Sequence, residues 1–168
     1  MKTPARRRVG LLLASLCLPL FAQAAETQPT HEFSLDNGLK VIVREDHRAP
    51  VVVSQLWYRI GSSYETPGLT GLSHALEHMM FKGSRKLGPG EASRVLRDLG
   101  AEENAFTTDD YTAYYQVLAR DRLPVALEME ADRMAHLSLP ADQFKSEIEV
   151  IKEERRLRTD DNPNALAF

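Results

Sequence analysis

Three residues close together, His74, Glu77 and His78, have the types and spacing for metal-assisted hydrolysis. On a helix, positions i and i+4 lie on one face, one turn apart. Two imidazoles placed so can reach a single ion at roughly 2.0–2.1 Å each. Glu77 lies beside them, close enough to act on water at the metal without ligating it. At about 100° per residue, Leu72, Leu76, Met79 and Met80 gather on the opposite side of the wheel, a face expected to pack into the core. A solvated face can group polar residues in the same way, so the spacing alone leaves site and surface both open.

Hydrolytic zinc sites commonly take three protein ligands and keep one position for water. The only cysteine, Cys17, falls in an N-terminal stretch that reads as a signal, so thiolate ligands, disulfides and cysteine catalysis are excluded from the remainder. The third ligand must then be an imidazole or a carboxylate. On the last helix Phe144, Ile148 and Ile151 form an apolar stripe, with Val150 and Leu157 on its flank. Glu147 and Glu154, seven residues apart, fall between those two groups, whereas Glu149 and Glu153 share a face with Lys145, Lys152 and Arg156. A carboxylate on an inward face costs several kcal/mol unless it is paired or bound to metal. Glu147 and Glu154 therefore need partners, and either an ion held by His74 and His78 or a salt bridge to Arg155 or Arg158 supplies one.

The elements that must position these residues follow from patterning. Phe33, Leu35, Leu39, Val41 and Val43 alternate across Asp36-Asn37-Gly38, a strong hairpin signal. Pro50 opens a second β run from Val51 to Ile60, and Gly61 to Gly71 is loop. A helix is predicted over about Thr70 to Phe81, and a short one over Glu91 to Leu99, closed by Gly100. Strand returns from Ala101 to Ala119, with a turn at Thr107 to Asp110. Two longer helices follow, about Leu123 to His136 and Pro140 to Arg158, with Pro140 suited to a first-turn position. Strands and helices in blocks favour an α+β class, a mixed or antiparallel sheet packed against helices.

Lys2, Arg6, Arg7 and Arg8, the apolar run Val9 to Leu20 and the small-x-small end Ala22-Gln23-Ala24 give residues 1–24 the three-part order of a secretory signal. An uncleaved N-terminal anchor is the other reading of the same residues. Without those four basic residues the balance changes from 21 basic against 24 acidic to 17 against 24, a net charge of −7. That sign excludes nucleic acid as the expected partner. No later run reaches membrane-spanning length, so a periplasmic or secreted product without a stable span is expected.

Together these residues resemble the pitrilysin/insulinase family of zinc peptidases, in which H-x-x-E-H inverts the thermolysin-type motif. Gly61, Glu65 and Gly71 precede the motif as in that family, and Met79-Met80-Phe81-Lys82-Gly83-Ser84 continues it. Asn104-Ala105-Phe106-Thr107 with Asp110 to Tyr115, and Glu147 to Glu154, match its next two blocks. The resemblance runs from about Phe33 to the chain end and implies that residues 25–168 are the N-terminal portion of a peptidase domain that continues further. It implies one Zn2+ per chain, ligated by His74, His78 and Glu154, with Glu77 as the base that activates water and Glu147 supporting the site without binding metal. Asn104, Ala105 and Phe106 match an edge strand that holds peptide or unfolded-protein substrate by β-augmentation; read by itself, the strand is better taken as a plain core strand. The resemblance further implies an endopeptidase whose active site is completed by a second homologous domain or a partner chain. A non-catalytic structural partner in a paired assembly, and a zinc-binding module without hydrolysis, are the competing readings.

Overall fold

The computed structural model describes residues 29–161. The expected signal at 1–24 and the last seven residues lie outside that range. The chain divides into two units, with the boundary after Asp46.

The first unit is the expected hairpin. Strand β1 (Thr30–Ser34) pairs antiparallel with β2 (Lys40–Arg44), Ser34 opposite Lys40. Asn37 Oδ1 accepts from Leu39 N at 3.1 Å, and Leu35 N donates to Leu39 O at 2.9 Å, closing the turn.

The second unit carries the site residues. Strands β3 (Val51–Tyr58), β4 (Glu102–Thr107) and β5 (Thr112–Ala119) form an antiparallel sheet in the order β3-β5-β4. Alternation fixes its faces: Thr112, Tyr114, Gln116 and Leu118 of β5 are all buried on the inner side. On the other side Ala113 is buried beneath the rings of Trp57, Phe106 and Tyr111, which meet one another at 4.7–6.3 Å between centroids. Helices α1 (Leu72–Met79), α2 (Glu91–Asp98), α3 (Leu123–His136) and α4 (Ala141–Arg155) complete the unit. Antiparallel strands with separate helices make the α+β class expected from the sequence.

The apolar core joins α2, β5 and α3 through Leu96, Leu118 and Ala126, with Val52, Ala101 and Met129 packed around them. Beside it lies a buried polar cluster. Arg133 of α3 stacks on Tyr114 and Phe81, 4.6 and 5.4 Å from the ring centroids. Its guanidinium is paired with Glu130, which also accepts from Gln116. A buried ion pair is tolerable when further hydrogen bonds and stacking satisfy it, and here they do. Burial pushes the Tyr58 and Tyr114 hydroxyls beside this cluster above the ordinary phenol range.

Three expectations are corrected. Leu72 and Leu76 do not enter the core; they are about half exposed, at the edge of an apolar groove shared with Ile60, Leu139 and Phe144. Met79 and Met80 are buried as expected, and the packed face of α1 is centred on Ala75 and Met79, where α1 meets β4 and α4. Pro140 is the N-cap of α4 rather than a first-turn residue; its extended ψ of 134° keeps it outside the helix, and Pro124 of α3 holds the first-turn position instead. The α-helical part of α4 ends at Arg155, and a π-helical turn continues it over Arg156–Asp160.

Candidate metal centre

Helix α1 is held at its N-terminus by a side chain from the preceding loop. Glu65 accepts from the main-chain N–H of Gly71 and of Ser73, each at 2.7 Å. A carboxylate here satisfies two of the unpaired first-turn donors and suits the positive end of the helix dipole. Those bonds, led by the one from Ser73, hold the Glu65 carboxyl below the usual carboxylate range. The helix then runs to Met79, with His74, Glu77 and His78 on the side away from Ala75 and Met79.

Helix α4 lies against α1 and brings the two selected glutamates to it. His74 Nε2 and His78 Nε2 are 3.1 Å apart, and Glu154 Oε2 lies 3.6 and 3.8 Å from them. The three ligand atoms fall within 4.8 Å of one another. Glu154 Oε2 is buried and has no hydrogen-bond partner; its nearest cation is Arg158, at 3.4 Å. One of the two facing Nε2 atoms can donate to the other, so the atom this cluster leaves without a partner is the buried Glu154 oxygen. Two imidazoles and a carboxylate around one point form a donor set suited to zinc, so the residues present fit that ion.

Glu147 is the buried residue of α4. Its Oε1 lies 2.9 Å from His78 Nδ1, the nitrogen turned away from the cluster. This bond makes Nδ1 the protonated atom and leaves the lone pair on Nε2, the tautomer a ligand needs. Burial opposes ionisation of Glu147, but hydrogen bonds from Lys82 and His78 outweigh it and hold the carboxyl below the usual range. Glu149 and Glu153 are exposed and pair with Lys152 and Arg156, as the wheel predicts.

Glu77 points toward the sheet, where the Thr107 hydroxyl at the end of β4 donates to its Oε2. The same cleft, about 520 Å³, is lined by His74, Glu77, His78, Glu147 and Glu154 and by Asn104, Ala105 and Phe106. Among the described strands β4 pairs only with β5, so its outer edge is open. The Ala105 N–H meets Asn104 Oδ1 at 2.9 Å rather than a strand carbonyl, so it points off that edge.

All the site residues singled out in the sequence thus border one cleft. Two contacts were not anticipated. Thr107 reads as the start of a turn, yet it is the last residue of β4 and shares a face with Ala105. Lys82 follows the helix and reaches Glu147; its spacing of four from His78 was the available signal.

Residues 40–167 match the family described as Insulinase, peptidase family M16. The zinc protease PqqE of Helicobacter pylori is 36% identical over 168 residues, covering 97% of this chain and 37% of that protein. Human mitochondrial cytochrome b-c1 complex subunit 1 is also 36% identical, over 157 residues, covering 92% of this chain and 30% of the subunit. A crystal structure of a protease from Helicobacter pylori superposes with a TM-score of 0.79 at 34% identity, covering 83% of this chain and 33% of that one. The chain therefore spans about a third of the length of these relatives.

Proposed function

The chain belongs to the insulinase family, peptidase family M16, and from that premise we propose that it forms the zinc-binding part of an endopeptidase. His74, His78 and Glu154 are the ligands and Glu77 is the general base. The observation that carries this reading is the convergence of two facing Nε2 atoms with a buried carboxylate oxygen that has no hydrogen-bond partner. Zinc held there would supply Lewis-acid polarisation of water and of a scissile carbonyl.

The remaining chemistry belongs to the chain's own residues. Glu77 takes the proton from attacking water and passes it to the leaving amine, a role that requires proximity to the ligands without ligation. Thr107 fixes one carboxylate oxygen of Glu77 and leaves the other for proton transfer. Glu147 holds His78 in its ligand tautomer. The open edge of β4 at Ala105 borders the cleft and suits an extended peptide or unfolded segment, bound through its main chain with little demand on sequence. A second homologous domain or partner chain completes the active site, and the N-terminal segment directs export to the periplasm or beyond. These are parts of the same proposal.

A non-catalytic member is the competing reading, favoured by the equal identity to the cytochrome b-c1 complex subunit. The full-length gene product separates the two. We expect about one zinc per chain in both the parent and Glu77→Gln, with hydrolysis of an unstructured peptide reduced by roughly 10²–10⁴ in the variant. Equal activity in the two proteins would remove Glu77 from the mechanism. Zinc without turnover in the parent would favour the structural partner.

A further inference from the structure

His74, His78 and Lys82 recur every four residues, so Lys82 continues the ligand face of α1 just beyond the end of the helix. Its ammonium lies 2.5 Å from Glu147 Oε2. The other oxygen of the same carboxylate takes the bond from His78 Nδ1 at 2.9 Å. The Lys82 side chain is only 26% exposed and that of Glu147 10%, so the pair is withdrawn from water and differs from the exposed pairs of the same helix, such as Lys152 with Glu149. A carboxylate bonded through one oxygen can still turn about its terminal torsion. With both oxygens bonded it is fixed in plane and in direction.

We propose that Lys82 is a positioning residue for the metal centre: by clamping Glu147 it orients the His78 ring, with Nε2 facing His74 and Glu154. The proposal rests on the ligand assignment given above and adds a residue that acts through two others. A plain structural salt bridge between the end of α1 and α4 would stabilise the fold without influencing how His78 meets a metal. The two roles differ in whether loss of Lys82 in a folded protein changes zinc affinity and the cobalt(II) spectrum, and a positioning role further requires that this change run through Glu147.

The test is chelator-competition zinc affinity and the visible spectrum of the cobalt(II)-substituted protein, measured on the full-length chain. The variants are Lys82→Met, Lys82→Arg, Glu147→Gln and the double variant Lys82→Met with Glu147→Gln. We expect Lys82→Met to weaken zinc binding by roughly 10- to 100-fold, the usual effect of losing an outer partner of a ligand, and to shift the cobalt bands. Lys82→Arg, which keeps the charge and the donors, restores most of the affinity. In the Glu147→Gln background the Lys82 change adds less than about threefold, because coupled residues are not additive. Should Lys82→Met fail to fold, Lys82→Gln removes the charge while keeping a polar end, and the same loss is expected. An affinity equal to the parent's in a folded variant overturns the proposal, and so does an equal loss in both backgrounds. A parent without zinc overturns the ligand assignment itself, whereas a zinc-bound parent insensitive to Lys82 overturns only this inference.

Discussion

Replacing Gly61 with alanine should damage the site from the loop before α1. Gly61 is buried and extended, with φ of −159°, so the backbone conformation admits any residue. The obstacle is space. A methyl group there would lie 2.2 Å from Thr108 O and 2.6 Å from Asp109 O. Ordinary contact requires roughly 1 Å more, and both obstructing atoms are main chain. The turn must therefore separate from the 61–63 segment. Five bonds join them: Ser62 N to Thr108 O at 3.1 Å, Ser63 N to Asp109 O at 2.9 Å, the two serine hydroxyls to Asp109 at 2.6 and 2.7 Å, and the Ser63 hydroxyl also to Asp110 at 3.2 Å. At roughly 0.5–1.5 kcal/mol net each, loss of most of them costs about 2–4 kcal/mol. Urea denaturation should then show a midpoint lower by roughly 1–2 M. Gly68→Ala is the control. It has φ of +91° and no neighbour within 4 Å of the added carbon, so it carries conformational strain of only about 1 kcal/mol. If Gly61→Ala is no more destabilising than Gly68→Ala, the close approach has been misjudged. The turn follows directly on Thr107, so peptidase activity should fall further than the loss of folded protein explains.

Thr107→Val keeps the shape of the side chain and removes the hydroxyl that donates to Glu77. We expect kcat to fall about tenfold, the effect of one hydrogen bond to a charged group, with KM and zinc content unchanged; a parental kcat would show that Thr107 does not position the base. Glu65→Gln addresses the support of α1 and has a signed pH dependence. The Glu65 carboxyl is depressed below its ordinary value of 4.5, so its contribution is complete above that value and is lost as pH falls through the lower folded value. Stability of the parent should therefore decline over that acid window, and the decline should be shallower in Glu65→Gln; parallel curves from denaturation at stepped pH would remove the clamp.

The candidate residues on α1 and α4 could be singled out in the sequence because those helices have strong periods, whereas Asn104, Ala105 and Phe106 came only from the family resemblance. Alternation across Asp36-Asn37-Gly38 marked the hairpin, and the 3.6-residue repeat separated Glu147 and Glu154 from Glu149 and Glu153 before any tertiary contact was known. Leu72 and Leu76 were misplaced for a related reason. A wheel identifies an apolar side but not which of two adjacent sectors a neighbouring element will cover, and here Met79 and Met80 were covered as expected, together with Ala75, while Leu72 and Leu76 were not. Thr107 was obscured because one residue at a strand end reads equally as turn, and only the pairing Thr107 to Thr112 shows it inside the ladder. Lys82 was obscured because its partner lies on another helix, and a single helix pattern carries no record of it.

The two helix patterns taken together do hold that record. His74 lies closest to Glu154, His78 reaches both glutamates, and Lys82 meets Glu147. Numbers rise on α1 as they fall on α4, so the helices run antiparallel along this seam. At about 1.5 Å per residue, the four steps from His74 to His78 on α1 span about 6 Å and the seven from Glu147 to Glu154 on α4 about 10.5 Å. Lys82, in the turn beyond Met79, extends the first row, which is why three nitrogen-bearing side chains can meet two carboxylates spaced by seven. The seam is polar along its length, and one end of it is already closed by Lys82. The other end, with Glu154 Oε2 lacking a hydrogen bond, is where a divalent cation would contribute most to joining the helices. Chelation should therefore loosen α4 chiefly near Glu154 and leave the Glu147 end protected, a gradient that hydrogen exchange along the helix can measure.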